Sequence, residues 1–125
     1  MNLIEIKNAE KSVGPYSKAV CANGFVYTSG QIPLTAEGLL VDGTIEDQTD
    51  VVFANLKEVL EAAGSSLDRV VKATVFITDM NDFAKINEIY TKHFGEHKPA
   101  RSCVEVSKLA MGVNVEIEVI ALSNK

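Results

Sequence analysis

The segment Pro99-Ala100-Arg101-Ser102-Cys103-Val104-Glu105-Val106 sets an arginine at the mouth of what reads as a short strand. Pro99 has no N–H to give a sheet ladder, and it biases Lys98 toward an extended backbone. The β-branched run from Ser102 to Val106 supplies the strand. An arginine at such a corner is either a solvated strand end or a fixed fork for an anion. A second feature lies in Val113-Asn114-Val115-Glu116-Ile117-Glu118-Val119, where alternation puts Glu116 and Glu118 on one strand face. The two carboxylates repel unless water or a cation compensates. They form either a solvated outer face or a polar pocket in which Glu116 lies near Arg101. In the second case an anion-binding fork stands beside a carboxylate able to position water.

Other candidates are weaker. His93 and His97 are spaced to share one helix face, but Gly95 interrupts them and no third ligand is apparent, so no metal is expected. Gly14-Pro15-Tyr16-Ser17 is a turn carrying a phenol, which either packs over a strand end or meets a ligand. Ser29-Gly30 reads as a strand terminus, where a hydroxyl and free amides could meet one too. No G-x-S-x-G elbow, phosphate-binding loop or dinucleotide fingerprint occurs, so triad hydrolysis, phosphoryl transfer and hydride transfer lack their usual support.

The elements that must position these residues follow from the patterning. With 125 residues, 46% hydrophobic and 23% charged, the chain reads as one soluble domain spanning 1–125. Leu3–Ile6 reads as an edge strand. Ala19–Ala22 and Phe25–Thr28 flank Asn23-Gly24, a strong hairpin signal. A loop with a weak extra hairpin near Glu37-Gly38 leads to Thr44, which with Asp47 caps a helix carrying Val52, Leu56, Val59, Leu60 and Ala63 and closing at Gly64. Val70–Ile77 reads as a buried strand. A second helix starts near Asp79 or Asn81 and shows Phe83, Ile86, Tyr90 and Phe94 on one face, ending at Gly95. The Arg101 strand and a long strand over Asn114–Leu122 complete the chain. This order fits an α+β mixed sheet with two helices on one face. The other face then bares Phe76, Val104, Val106, Ile120 or Leu122, which argues for a homo-oligomer.

The net charge is -5, and Glu96 and Glu105 are mixed among Lys92, Lys98 and Arg101, so nucleic acid is not an expected partner. No run is long and apolar enough for a membrane span, and Met1–Glu5 lacks a secretory pattern, so the cytoplasm is the expected compartment. Cys21 and Cys103 lie far apart and are expected reduced, as core residues.

Gly14-Pro15-Tyr16-Ser17-Lys18-Ala19, Tyr27-Thr28-Ser29-Gly30-Gln31, Asn55-Leu56, Pro99-Ala100-Arg101-Ser102-Cys103-Val104 and Val115-Glu116-Ile117-Glu118 together resemble the RidA branch of the Rid (YjgF) family. The resemblance runs through essentially the whole chain. It departs after Leu109, where family members often have proline and Ala110-Met111-Gly112 stands here. The resemblance implies a chorismate-mutase-like fold forming a homotrimer around a central β-barrel, with sites in the clefts between subunits. It implies deamination of 2-aminoacrylate/2-iminopropanoate and 2-iminobutanoate to 2-keto acids and ammonia, with no metal or organic cofactor. By matching, Arg101 clamps the substrate carboxylate, Glu116 orients or activates water, and Tyr16 hydrogen-bonds substrate or water. Ser29, Gly30 and Gln31 line the same end, Cys103 offers its backbone, and Phe83 and Asn87 form pocket wall. The alternative is a non-catalytic carboxylate-binding or regulatory trimer.

Overall fold

A computed structural model describes residues 1–4 and 15–123. Asn23-Gly24 joins β2 (Ala19–Ala22) to β3 (Phe25–Thr28). Both turn residues take positive φ, 51° and 85°, the left-handed geometry that a two-residue hairpin turn requires. β1 (Asn2–Ile4) pairs antiparallel with β2. The rest of the expected edge strand, Glu5 and Ile6, lies outside the described residues, as does Gly14. Leu34 bridges Leu40, which realises the weak hairpin in the following loop. α1 (Ile45–Ala62) starts where Thr44 Oγ1 accepts the Asp47 N–H at 3.1 Å, as the spacing predicts.

β4 (Val70–Ile77) follows a short 3-10 turn, Leu67–Arg69. α2 (Phe83–Phe94) begins later than its sequence signal, because Met80–Asp82 forms another 3-10 turn. Asp79 caps that turn by accepting the Asn81 N–H at 2.9 Å, so the cap is real but serves the turn. β5 (Ala100–Glu105) takes in Arg101, which sits inside the strand and not at its mouth. β6 (Val115–Leu122) closes the order. The sheet runs β1-β2-β3-β6-β4-β5, with β4 and β5 parallel and every other pair antiparallel. This is the expected mixed α+β sheet, and α2 is the crossover that parallel neighbours need.

One sheet face supplies Val26, Ala73, Val75, Ile77, Val115, Ile117, Val119 and Ala121 to the core. Val52, Phe53, Leu56 and Leu60 of α1 and Ile86 of α2 meet them, so both helices cover that face. The helices are tied to each other through Phe53, whose ring stacks on His93 at 4.7 Å and meets Phe94 edge-on at 5.6 Å. Asp50 adds a polar tie to His93 at 2.8 Å and to Lys92 at 3.3 Å. His97 Nε2 lies 2.7 Å from Val70 O. The two histidines thus serve separate packing contacts. The opposite face carries Val20, Phe25, Tyr27, Phe76, Val104, Ile120 and Leu122, of which Tyr27, Val104 and Leu122 are exposed.

Candidate active site

Arg101 pairs with Ala73 and Cys103 with Val75 across the parallel ladder. Ala73 and Val75 are fully buried against the helices, so Arg101 and Cys103 turn to the same side. There α2 presents Phe83, Asn87 and Tyr90, one helical stripe. Arg101 Nη1 donates to Asn87 Oδ1 at 2.6 Å. Its guanidinium carbon lies 5.5 Å from the Phe83 ring centre and 4.9 Å from that of Tyr90. Two aromatic faces and one amide therefore hold the arginine. Nη2 and Nε bond no described residue and suit a bidentate carboxylate. Burial pushes the Cys103 thiol up, opposed by the Arg101 charge, so it stays a neutral wall.

Tyr90 belongs to this group, and its role is not readable from the chain. Its place in the apolar stripe of α2 marks it as core. Only the β4–α2–β5 crossover brings Arg101 onto its ring. Burial raises its hydroxyl's pKa, again opposed by Arg101.

Glu116 sits opposite Phe76, between the buried Val115 and Ile117, so it faces away from the helices beside Glu118. The Ser29–Gln31 segment runs alongside. Gln31 N donates to Ile117 O at 2.8 Å, and Ile117 N donates back to Gln31 O at 3.1 Å. Ser29 Oγ donates to Ser17 O at 2.6 Å, which ties the Tyr16–Ser17 segment to this end of the sheet. Gln31 Nε2 donates to Ser29 O at 3.1 Å. From α1, Asn55 Nδ2 donates to Ile32 O at 3.0 Å and Leu34 O at 2.8 Å, fixing the loop beyond. Tyr16 is exposed. Burial holds the Glu116 carboxyl above the usual glutamate range, and the neighbouring Glu118 charge adds to it.

Gly30 lies directly against that carboxyl. A Cβ there would come within 2.6 Å of Glu116 Cδ and 2.9 Å of Cγ, and closer still to Oε2. The clash is with the end of a flexible side chain, so folding should tolerate it while the carboxylate moves. Gly30→Ala is therefore expected to keep a near-native melting temperature while displacing the Glu116 carboxylate. Calorimetric melting beside a crystal structure of the variant checks both.

Arg101 and Glu116 lie on opposite faces of the sheet. The single constellation that the sequence suggests is not formed within one chain. Phe83, Asn87 and Cys103 gather around Arg101, and Gly30 lies against Glu116; the buried Gln31 pairs with Ile117 and turns to the helix side, while Ser29 ties the Tyr16–Ser17 segment to the same end of the sheet.

Residues 6–123 match the family model described as Endoribonuclease L-PSP. The chain is 53% identical over 120 residues to a RutC family protein of Pyrococcus horikoshii, covering 95% of each. It is 48% identical over 119 residues to MMF1 of Saccharomyces cerevisiae, named as mitochondrial, covering 95% of this chain and 82% of that one. TdcF of Escherichia coli, whose name proposes it as a reactive intermediate deaminase, is 43% identical over 123 residues, with 96% and 95% covered. The crystal structure of TdcF with bound serine superposes with a TM-score of 0.92 at 42% identity, over 99% of this chain and 100% of that one. Matched along nearly its whole length, the chain belongs to the Endoribonuclease L-PSP (YjgF/Rid) family and to its RidA type.

Proposed function

We propose that this protein is a reactive intermediate deaminase, hydrolysing 2-iminopropanoate, 2-iminobutanoate and their enamine tautomers to 2-keto acids and ammonia. The observation that carries this reading is the Arg101 fork held by Asn87 at 2.6 Å and by the Phe83 and Tyr90 rings. An imino acid is already an electrophile and bears a carboxylate. The enzyme need only hold that group, orient the C=N bond and deliver water. Arg101 takes the carboxylate, with Phe83, Asn87 and the Cys103 backbone as its surroundings. Glu116 accepts a proton from water as the oxygen adds to the C=N carbon and passes it to the nitrogen. The tetrahedral amino alcohol then collapses: Glu116 takes the hydroxyl proton and delivers it to the leaving nitrogen, so that C=O forms as ammonia departs. One water enters and one ammonia leaves, with no oxidation, so the reaction calls for no metal or organic cofactor. Tyr16, Ser29 and Gly30 flank the water, and Gln31 anchors their segment to β6 through its backbone.

The opposite orientation of Arg101 and Glu116 supports a site built from two chains. In this reading one chain supplies the Arg101 group and a neighbour the Glu116 group, around a homotrimer with a central β-barrel. The exposed Tyr27, Val104 and Leu122 on the helix-free face support its burial between copies. Chemistry of this kind suits the cytoplasm, although MMF1 is named as mitochondrial. The net charge of -5 speaks against RNA as a substrate. Among the described residues no helix is long and apolar enough to cross a membrane.

The test is to add the pure protein to a threonine dehydratase reaction and follow 2-oxobutanoate in the first seconds. Faster keto-acid formation is the expected result, with light scattering giving three times the chain mass. A trimer that binds 2-oxobutanoate yet leaves the rate unchanged would instead mark the non-catalytic carboxylate binder. A stable monomer at micromolar concentration would overturn the shared site.

A further inference from the structure

We propose that Tyr90 is a positioning residue whose ring, and not whose hydroxyl, sets the plane of the Arg101 guanidinium and so the affinity of the site for a carboxylate. This rests on Arg101 being the carboxylate clamp. Of the two rings flanking Arg101, that of Tyr90 is the nearer, at 4.9 Å against 5.5 Å for Phe83. The Tyr90 ring is itself held from behind. It contacts Phe94 at 4.6 Å and meets Phe53 edge-on at 5.8 Å, and Phe53 is fully buried in the core. A continuous chain of ring contacts thus runs from the core through Tyr90 to the guanidinium.

The hydroxyl takes no part in this. Tyr90 Oη is buried and has no hydrogen-bond partner among the described residues. An unpaired buried hydroxyl carries a desolvation cost, so the side chain's contribution lies in its aromatic face. Beside it lies a cleft of about 200 Å³, lined by Tyr90, Phe94, His97, Lys98, Pro99 and Arg101. Without the ring, Arg101 keeps only one amide and one aromatic contact and gains room to swing into that cleft. A flexible arginine loses more freedom on binding than one already held in place.

The experiment is calorimetric titration of 2-oxobutanoate into the intact protein, beside imine-hydrolysis kinetics. Tyr90→Leu is expected to weaken binding about five- to thirty-fold, the span of a partly desolvated cation–π contact. The kinetic loss should appear in KM more than in kcat. Tyr90→Phe should recover the affinity, which a role for the hydroxyl would not allow. Mono-, di- and trifluorophenylalanine at position 90 keep the ring's shape while draining charge from its face, so they test the platform even if Tyr90→Leu fails to fold. A stepwise loss of affinity along that series is expected, and a flat series overturns the proposal. Arg101→Ala separates the two levels. If it abolishes binding while the series is flat, the clamp stands and only the platform is lost. If Arg101→Ala binds as tightly as the unaltered protein, the clamp fails, and the platform with it.

Discussion

Arg101→Ala is expected to lower kcat/KM for imine hydrolysis by roughly a hundred-fold to a few thousand-fold, with the oligomer intact. The reason is asymmetric. A substrate carboxylate in a partly dry cleft loses its fork and is left unpaired, and breaking such a pair costs about 3–5 kcal/mol. The effect on folding should be smaller. Arg101 lies at the sheet edge, and its contacts run to Asn87, Phe83 and Tyr90, none of which is fully buried. Arg101→Lys keeps the charge but supplies one point donor where two parallel N–H groups are needed. It also lacks the plane that stacks between Phe83 and Tyr90, so it should be badly impaired too. Kinetics paired with light scattering decide the matter. Unaltered turnover by an intact oligomer of Arg101→Ala would remove the clamp assignment.

Glu116→Gln separates chemistry from binding. Gln keeps the shape and can orient water but cannot accept its proton, so turnover should fall about a hundred- to ten-thousand-fold while 2-oxobutanoate binding changes little. The pH profile carries a second signature. Burial and Glu118 raise the carboxyl's pKa above the usual glutamate range, and a base works only when ionised. The acid limb of kcat/KM should therefore lie above the ordinary glutamate range and vanish in Glu116→Gln. Stability moves the other way. A raised folded-state pKa means the neutral form is favoured in the fold, so that contribution is complete below the unfolded value and lost as pH rises through the folded one. At neutral pH the ionised carboxylate weakens the fold. Glu116→Gln should accordingly melt higher than the unaltered protein at pH 7, with the difference shrinking toward pH 4. If the variant turns over normally, Glu116 is a solvated outer-face residue. A lower melting temperature at pH 7 would mean that the fold favours the ionised carboxylate.

Much of this molecule is legible along the chain because the deciding interactions are local. Asn23-Gly24 dictates its own turn, since those two residues tolerate φ of 51° and 85°. Thr44 and Asp47 cap α1 within one helical turn of each other. The apolar spacing of α1 marks its buried face before any partner is known, and the alternation of β6 marks Glu116 and Glu118 as a pair on the other side. Arg101 and Glu116 themselves stand out by residue type and setting. The start of α2 is less legible, because Asp79 offers the same cap signal to a 3-10 turn as to an α-helix.

What the tertiary structure alone decided is where those two residues point and what holds them. The ladders pair Ala73 with Arg101 and Phe76 with Glu116, which puts them on opposite faces. A slip of one residue in either ladder would reverse that side chain's face, and β5, an edge strand, has too weak an alternation to announce its register. Gly30 beneath Glu116, Asn55 on the carbonyls of Ile32 and Leu34, and Tyr90 beneath Arg101 are likewise contacts between segments distant in sequence. Periodicity shows which way a side chain faces relative to its own element. Which group it meets there depends on the packing of elements whose relative placement no local pattern encodes.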